Sequence, residues 1–148
     1  MTETLDVALS YLGEKTKKAG KRIAEPETSG HVKFRAPQVS SGAVGRLAEK
    51  LAVSEVVVLG VSDISERTFH RRKVHQEPLT EAESDRLLRI ARVASEAERV
   101  FGDKSKARRW LLADNQLLGV KPLDLLATDA GAREVGLELV RIDFGDFA

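Results

Sequence analysis

The 148 residues contain no cysteine, which excludes disulfides and thiolate metal sites and fits a reducing compartment. No stretch approaches the roughly 18 apolar residues of a membrane span. The polar start over residues 1–6 lacks signal-peptide character, so the expected location is the cytoplasm, with no membrane partner. There is no glycine loop that could cradle a phosphate, and no dinucleotide fingerprint. The three histidines, His31, His70 and His75, form no i, i+4 pair of the kind that holds a metal on a helix. Glu134 and Glu138 share a helical spacing, but a solvated face is the expected state of that pair. Repeats and low-complexity tracts are also missing. The expectation is a protein without cofactor or metal, and not an enzyme.

What is present is charge, unevenly placed. Residues 1–75 carry thirteen Lys/Arg against nine Asp/Glu, and residues 76–148 carry eleven against fourteen. The chain total of +1 therefore hides a front of +4 and a rear of −3. Such an arrangement suits separate surfaces for a polyanion and for a cationic partner.

The elements read as helices. Residues 4–12 suit a short helix with Leu5, Leu9 and Leu12 on one side. Lys15, Lys17, Lys18, Lys21 and Arg22 then crowd cations together, and Pro26 and Gly30 interrupt regular structure. Residues 1–36 read as a basic N-terminal arm, partly disordered. Ser40 or Ser41 can cap a helix bearing Val44, Leu47, Ala48 and Leu51 at i, i+3, i+4 and i+7. Residues 56–61 are β-branched, yet with no strand to pair with they read as a short buried helix after a Ser54 cap. Thr80 and Glu83 form a capping box. The helix it opens carries Leu87, Leu88, Ala91, Ala94, Ala97 and Phe101 and stops at Gly102. Asp103 starts a short helix with Ala107, Trp110 and Leu111 on one face, where Trp110 reads as core. Pro122 opens a helix ending near Ala127. Thr128 caps the last one, with Val135, Leu139 and Ile142 inward. The fold class is all-α.

After the third of these helices, Gly60, Ser62 and Asp63 make a turn. The helix after it reads Glu66-Arg67-Thr68-Phe69-His70-Arg71-Arg72-Lys73-Val74-His75. Helix, tight turn and a cation-rich helix is the layout of a helix-turn-helix DNA reader, whose second helix offers donors to base edges and phosphates. The candidate DNA-binding residues are Ser65, Arg67, Thr68, His70, Arg71, Arg72 and Lys73, with Ile64 and Phe69 pointing inward. Asp63 stands where glycine is usual and tolerates the left-handed conformation better than most residues.

From Ile64 onward the chain resembles the Xre/MbcA/ParS antitoxin family, partners of toxins that carry the RES domain. The resemblance runs through Ile64-Ser65-Glu66-Arg67-Thr68-Phe69-His70-Arg71-Arg72, Leu79-Thr80, Glu83-Ser84-Asp85-Arg86-Leu87-Leu88-Arg89 and Ala97-Glu98-Arg99-Val100-Phe101-Gly102. It continues in Ala107-Arg108-Arg109-Trp110-Leu111, Pro122-Leu123-Asp124-Leu125-Leu126-Ala127-Thr128 and Ala130-Gly131-Ala132-Arg133-Glu134-Val135, then closes from Arg141-Ile142 to Phe147-Ala148. The family's Leu-Gly-Gly-x-x-Pro stretch departs here to Leu118-Gly119-Val120-Lys121-Pro122, and its Pro-Asn to Asp114-Asn115. The resemblance implies a Cro-like helix-turn-helix over residues 37–78 and a helical toxin-binding domain over residues 79–148. It also implies a RES toxin that consumes NAD, covered at its active site, and promoter DNA bound as an autorepressor. A homodimer or a hetero-oligomer with the toxin would carry these contacts.

The toxin-binding candidates are Arg141, Asp143, Phe144, Gly145, Asp146, Phe147 and Ala148. They form an acidic-aromatic end too short to bury both rings. Two readings stand side by side: the aromatics anchor a partner, or they fold back on the last helix. The alternative function is a stand-alone helix-turn-helix transcriptional regulator whose C-terminal domain dimerises or binds a small ligand.

Overall fold

A computed structural model describes residues 2–15 and 37–145, and among the described residues caps and helix breakers set off eight helices. They are α1 (Thr2–Tyr11), α2 (Gly42–Leu51), α3 (Glu55–Val61), α4 (Glu66–His75), α5 (Glu81–Phe101), α6 (Lys104–Leu112), α7 (Pro122–Leu125) and α8 (Asp129–Asp143). Among the described residues there is no strand, only an isolated bridge between Ser40 and Pro78. The all-α expectation holds.

The longest helix, α5, organises the rest. The Thr80 hydroxyl accepts the Glu83 N–H at 3.2 Å while the Glu83 carboxylate accepts the Thr80 N–H at 2.8 Å, so the expected capping box is complete. Gly102, at φ 63°, ends the helix in the left-handed conformation that glycine adopts without strain. Between these stops, Leu87, Leu88, Ile90, Ala91, Val93, Ala94 and Ala97 are all buried. A helix buried over so much of its circumference needs neighbours on several sides, and α1, α2, α6 and α8 all pack against it. The hydrophobic core is accordingly continuous past Pro78, from Leu12 to Leu139.

The helix expected over residues 4–12 is α1, and it is docked. Ala8, Leu9, Tyr11 and Leu12 are buried, and the Tyr11 hydroxyl donates to Glu98 on α5 at 2.8 Å. Arg46 of α2 donates to the Leu12 carbonyl and pairs with Glu14, tying the end of α1 to the following helices. The front of the segment expected as an arm is thus a core helix. The cations Lys17, Lys18, Lys21 and Arg22 lie outside the described residues.

Three details of the middle helices differ from expectation. Ser41 sits at the cap position of α2, but its side chain accepts no backbone N–H. Ser40 donates its hydroxyl to Glu14 instead. The β-branched run does form α3, with Val58, Leu59 and Val61 buried, although the Ser54 side chain at its cap position accepts no backbone N–H. Val56 and Val57, however, face solvent.

In the rear, Asp103 caps α6 by accepting the Lys106 N–H at 2.8 Å. Ala107 and Leu111 are buried, while Trp110 is half-buried, its ring 5.6 Å from that of Phe101. Helix α7 stops at Leu125, short of Ala127. Thr128 caps α8 through the Gly131 N–H at 3.0 Å. Gly131 is required for closeness rather than for φ: a Cβ there would stand 2.0 Å from the Leu125 carbonyl oxygen. Val135 and Leu139 face inward, and Ile142 is half-buried. Glu138, expected on a solvated face, is buried and pairs with Arg141 at 3.0 Å.

Candidate nucleic-acid and partner interfaces

The turn between α3 and α4 has the geometry a helix-turn-helix needs. Asp63 adopts φ 51°, the left-handed conformation anticipated for that position. The Ile64 N–H returns to the Leu59 carbonyl at 2.9 Å. Ile64 and Phe69 are buried and hold α4 against the body. From α5, Arg86 donates to the carbonyls of Ser62 and Asp63 at 3.2 and 3.3 Å, pinning the turn from outside.

The seven residues expected to contact DNA differ in exposure and in pairing. Ser65, Arg67, His70 and Arg71 are exposed, with Ser65 at the cap position in extended backbone. Arg71 stands 4.0 Å from Glu77, a distance that leaves its side chain largely in water. Thr68 is half-buried. Arg72 and Lys73 both pair within the chain, although Lys73 is exposed like the first four, its side chain at 50%. Arg72, with a side chain only 12% exposed, pairs with Glu83. Lys73 pairs with Glu55 at 3.0 Å and lies 5.4 Å from the centre of the Phe69 ring. Burial works against ionisation of Glu83, but hydrogen bonds with Thr80 and the Arg72 guanidinium outweigh it and hold the carboxyl below its ordinary range. The Glu83 side chain therefore caps α5 and braces α4 at once.

The C-terminal candidates are also split. Asp143 pairs with Arg99 at the far end of α5, at 2.7 Å, and Arg99 also holds Glu96 at 2.7 Å. Arg141 faces Glu138. Phe144 is 83% exposed, so it does not fold back onto α8. Gly145 turns the backbone at φ 69°. Asp146, Phe147 and Ala148 lie outside the described residues.

Sequence reasoning missed the use of α5 as a common beam. Its arginines bind the surrounding elements one after another: Arg86 the turn before α4, Arg89 the start of α8 through Asp129 at 2.7 Å, and Arg99 the end of α8. Their spacing was visible, but the acids and carbonyls they meet are distant in sequence, and no local pattern identifies them.

With this geometry in place, the chain can be compared with known proteins. Residues 32–92 match the antitoxin Xre-like helix-turn-helix domain, and residues 96–145 match the antitoxin Xre/MbcA/ParS C-terminal toxin-binding domain. The chain is similar to the Antitoxin Xre of Pseudomonas putida, 40% identical over 80 residues, which cover 53% of this chain and 50% of that one. It is 34% identical to the Antitoxin Xre of Yersinia enterocolitica over 99 residues, covering 66% of this chain and 67% of that protein. A third relative, the Antitoxin Xre of Photorhabdus laumondii, is 36% identical over 90 residues, 60% of this chain and 61% of its own. The matches thus span half to two thirds of these relatives' lengths.

Proposed function

Because this chain belongs to the Xre/MbcA/ParS antitoxin family, we propose that it neutralises a partner toxin through its C-terminal helices and represses its own promoter through α4. The family is one of non-enzymatic antitoxins built on a helix-turn-helix. In the finer reading the partner is a RES-domain toxin that consumes NAD, and the chain covers its active site. On α4, the outward donors Arg67, His70 and Arg71, with Ser65 at its start, meet bases and phosphates. Arg72 holds α4 in place through Glu83, while Lys73, exposed beside Glu55, remains among the outward donors. At the other end, Phe144 is an apolar anchor beside the acidic Asp143, and Asp146 and Phe147 follow it in sequence. An acidic group next to a nucleotide-binding cleft would meet the arginines that hold the nucleotide's phosphates.

One observation carries this reading. The DNA-reading unit is fixed to the start of α5 through Glu83 and Arg86, and the C-terminal helix is fixed to its end through Arg99. Glu83 and Arg99 are separated by about 24 Å of helix at the standard rise. Two surfaces that far apart can be occupied together, as a repressor that carries its toxin to the operator requires.

The test is co-purification with the product of the neighbouring gene, followed by an NAD-consumption assay with and without this chain. The expected result is a tight complex with NAD loss suppressed. Absence of a complex, with specific DNA binding by the lone chain, would replace the proposal with a stand-alone regulator.

A further inference from the structure

Helix α8 has a second face that the fold leaves uncovered. Its inner face, Ala132, Val135 and Leu139, is filled by the body of the protein. On the outer side, Leu137 is 61% exposed and Val140 47% exposed, and both fall in line with the exposed Phe144. The spacing of these three is i, i+3, i+7, which puts them on one stripe about 10 Å long. Gly136 borders the stripe with open space above it, and Arg133 and Glu134 give it a charged margin. A soluble helix ordinarily turns polar residues outward. Three large apolar side chains in a row on that side are a contact surface waiting for a partner.

Resting on the proposed antitoxin role, we propose that this stripe is a docking ridge for the toxin. It would seat in an apolar groove on the toxin's surface, separate from the contact made by the residues after Phe144. Two observations select that occupant. The ridge lies within residues 96–145, the segment that matches a toxin-binding domain, and Phe144 makes it continuous with the candidate toxin-binding end. Its size argues against a second copy of this chain as the occupant. Three side chains present roughly a few hundred Å², whereas a stable dimer buries about 800 Å² on each partner. The ridge is adequate as one part of a larger interface and inadequate as an interface alone. Helix-in-groove recognition uses anchors at this spacing, and a rigid helix presents them without an ordering cost.

The experiment uses the full chain and the toxin co-purified with it, in an enzymatically inactive form, with affinities measured by titration calorimetry. Leu137→Glu and Val140→Glu, made singly, leave Phe144 and the following residues unchanged. Each is expected to weaken toxin binding at least tenfold, with operator binding by the lone chain unaltered. Leu137→Ala, a milder change at an exposed position, is expected to weaken toxin binding severalfold without altering the circular dichroism melt. Wild-type affinity in Leu137→Glu and Leu137→Ala would overturn the ridge while leaving the antitoxin reading intact. So would a loss of self-association in these variants with toxin affinity unchanged. If the wild-type chain itself fails to bind the toxin, both proposals fall together.

Discussion

Glu83 shows how one side chain can serve two structures. It completes the cap of α5 and neutralises Arg72, whose guanidinium has little access to water. Its carboxyl is held below the ordinary glutamate value of 4.5 in the folded protein. A depressed value in the native state means that the unfolded chain binds the proton more tightly. The stability contributed by Glu83 is therefore present above about 4.5 and is lost as pH falls below that value through the native one. Glu83→Gln should cost about 2 kcal/mol at neutral pH, the scale of a hydrogen bond to a charged group. Urea unfolding at stepped pH checks this. The gap between the two proteins should close in acid, and a gap constant down to pH about 3 would mean the carboxylate charge plays no part.

Among the elements, α1 is the one whose role the sequence concealed. The spacing of Leu5, Leu9 and Leu12 showed a helix, but nothing local showed that α5 would receive it. The cations that follow made the whole segment look like an arm. Burial of Leu12 and the Tyr11–Glu98 hydrogen bond make α1 part of the core. Leu12→Ala should lower stability by about 3 kcal/mol, as for other fully buried leucines, measured as a shift in the urea midpoint with unchanged slope. An unshifted midpoint would mean that α1 is not docked in solution. The elements best read from sequence were those with self-contained signals. The capping box and Gly102 bounded α5, Thr128 opened α8, and Asp63 marked the tight turn. What resisted reading were side chains whose partners are remote. Arg72 and Lys73 looked as available as Arg67 because Glu83 and Glu55 become their neighbours only after folding. Glu138 looked solvated for the same reason. Val56 and Val57 looked buried because composition gives hydrophobicity and not the number of neighbours a short helix will have.

At the scale of the whole molecule, the question is whether the two ends of α5 act independently. The fold gives them separate side chains: Arg67 and Arg71 sit on α4, which Glu83 and Arg86 brace at the start of the beam, and the Arg99–Asp143 pair lies at the opposite end. Arg67 and Arg71 are exposed and contribute nothing to the core, so replacing both with alanine should leave folding unchanged. Operator binding should weaken, and its dependence on salt should become shallower by about one unit of log–log slope for each phosphate contact removed. A uniform loss across DNA sequences would assign these arginines to phosphates, whereas a loss confined to the operator would assign them to base edges. Toxin binding by the double variant should equal that of the wild type, measured by titration calorimetry on the same preparations. Equal loss of DNA and toxin affinity would mean that the beam is not rigid. In that case α4 and α8 would respond to one another through α5, and the two-surface description would have to give way to a single coupled one.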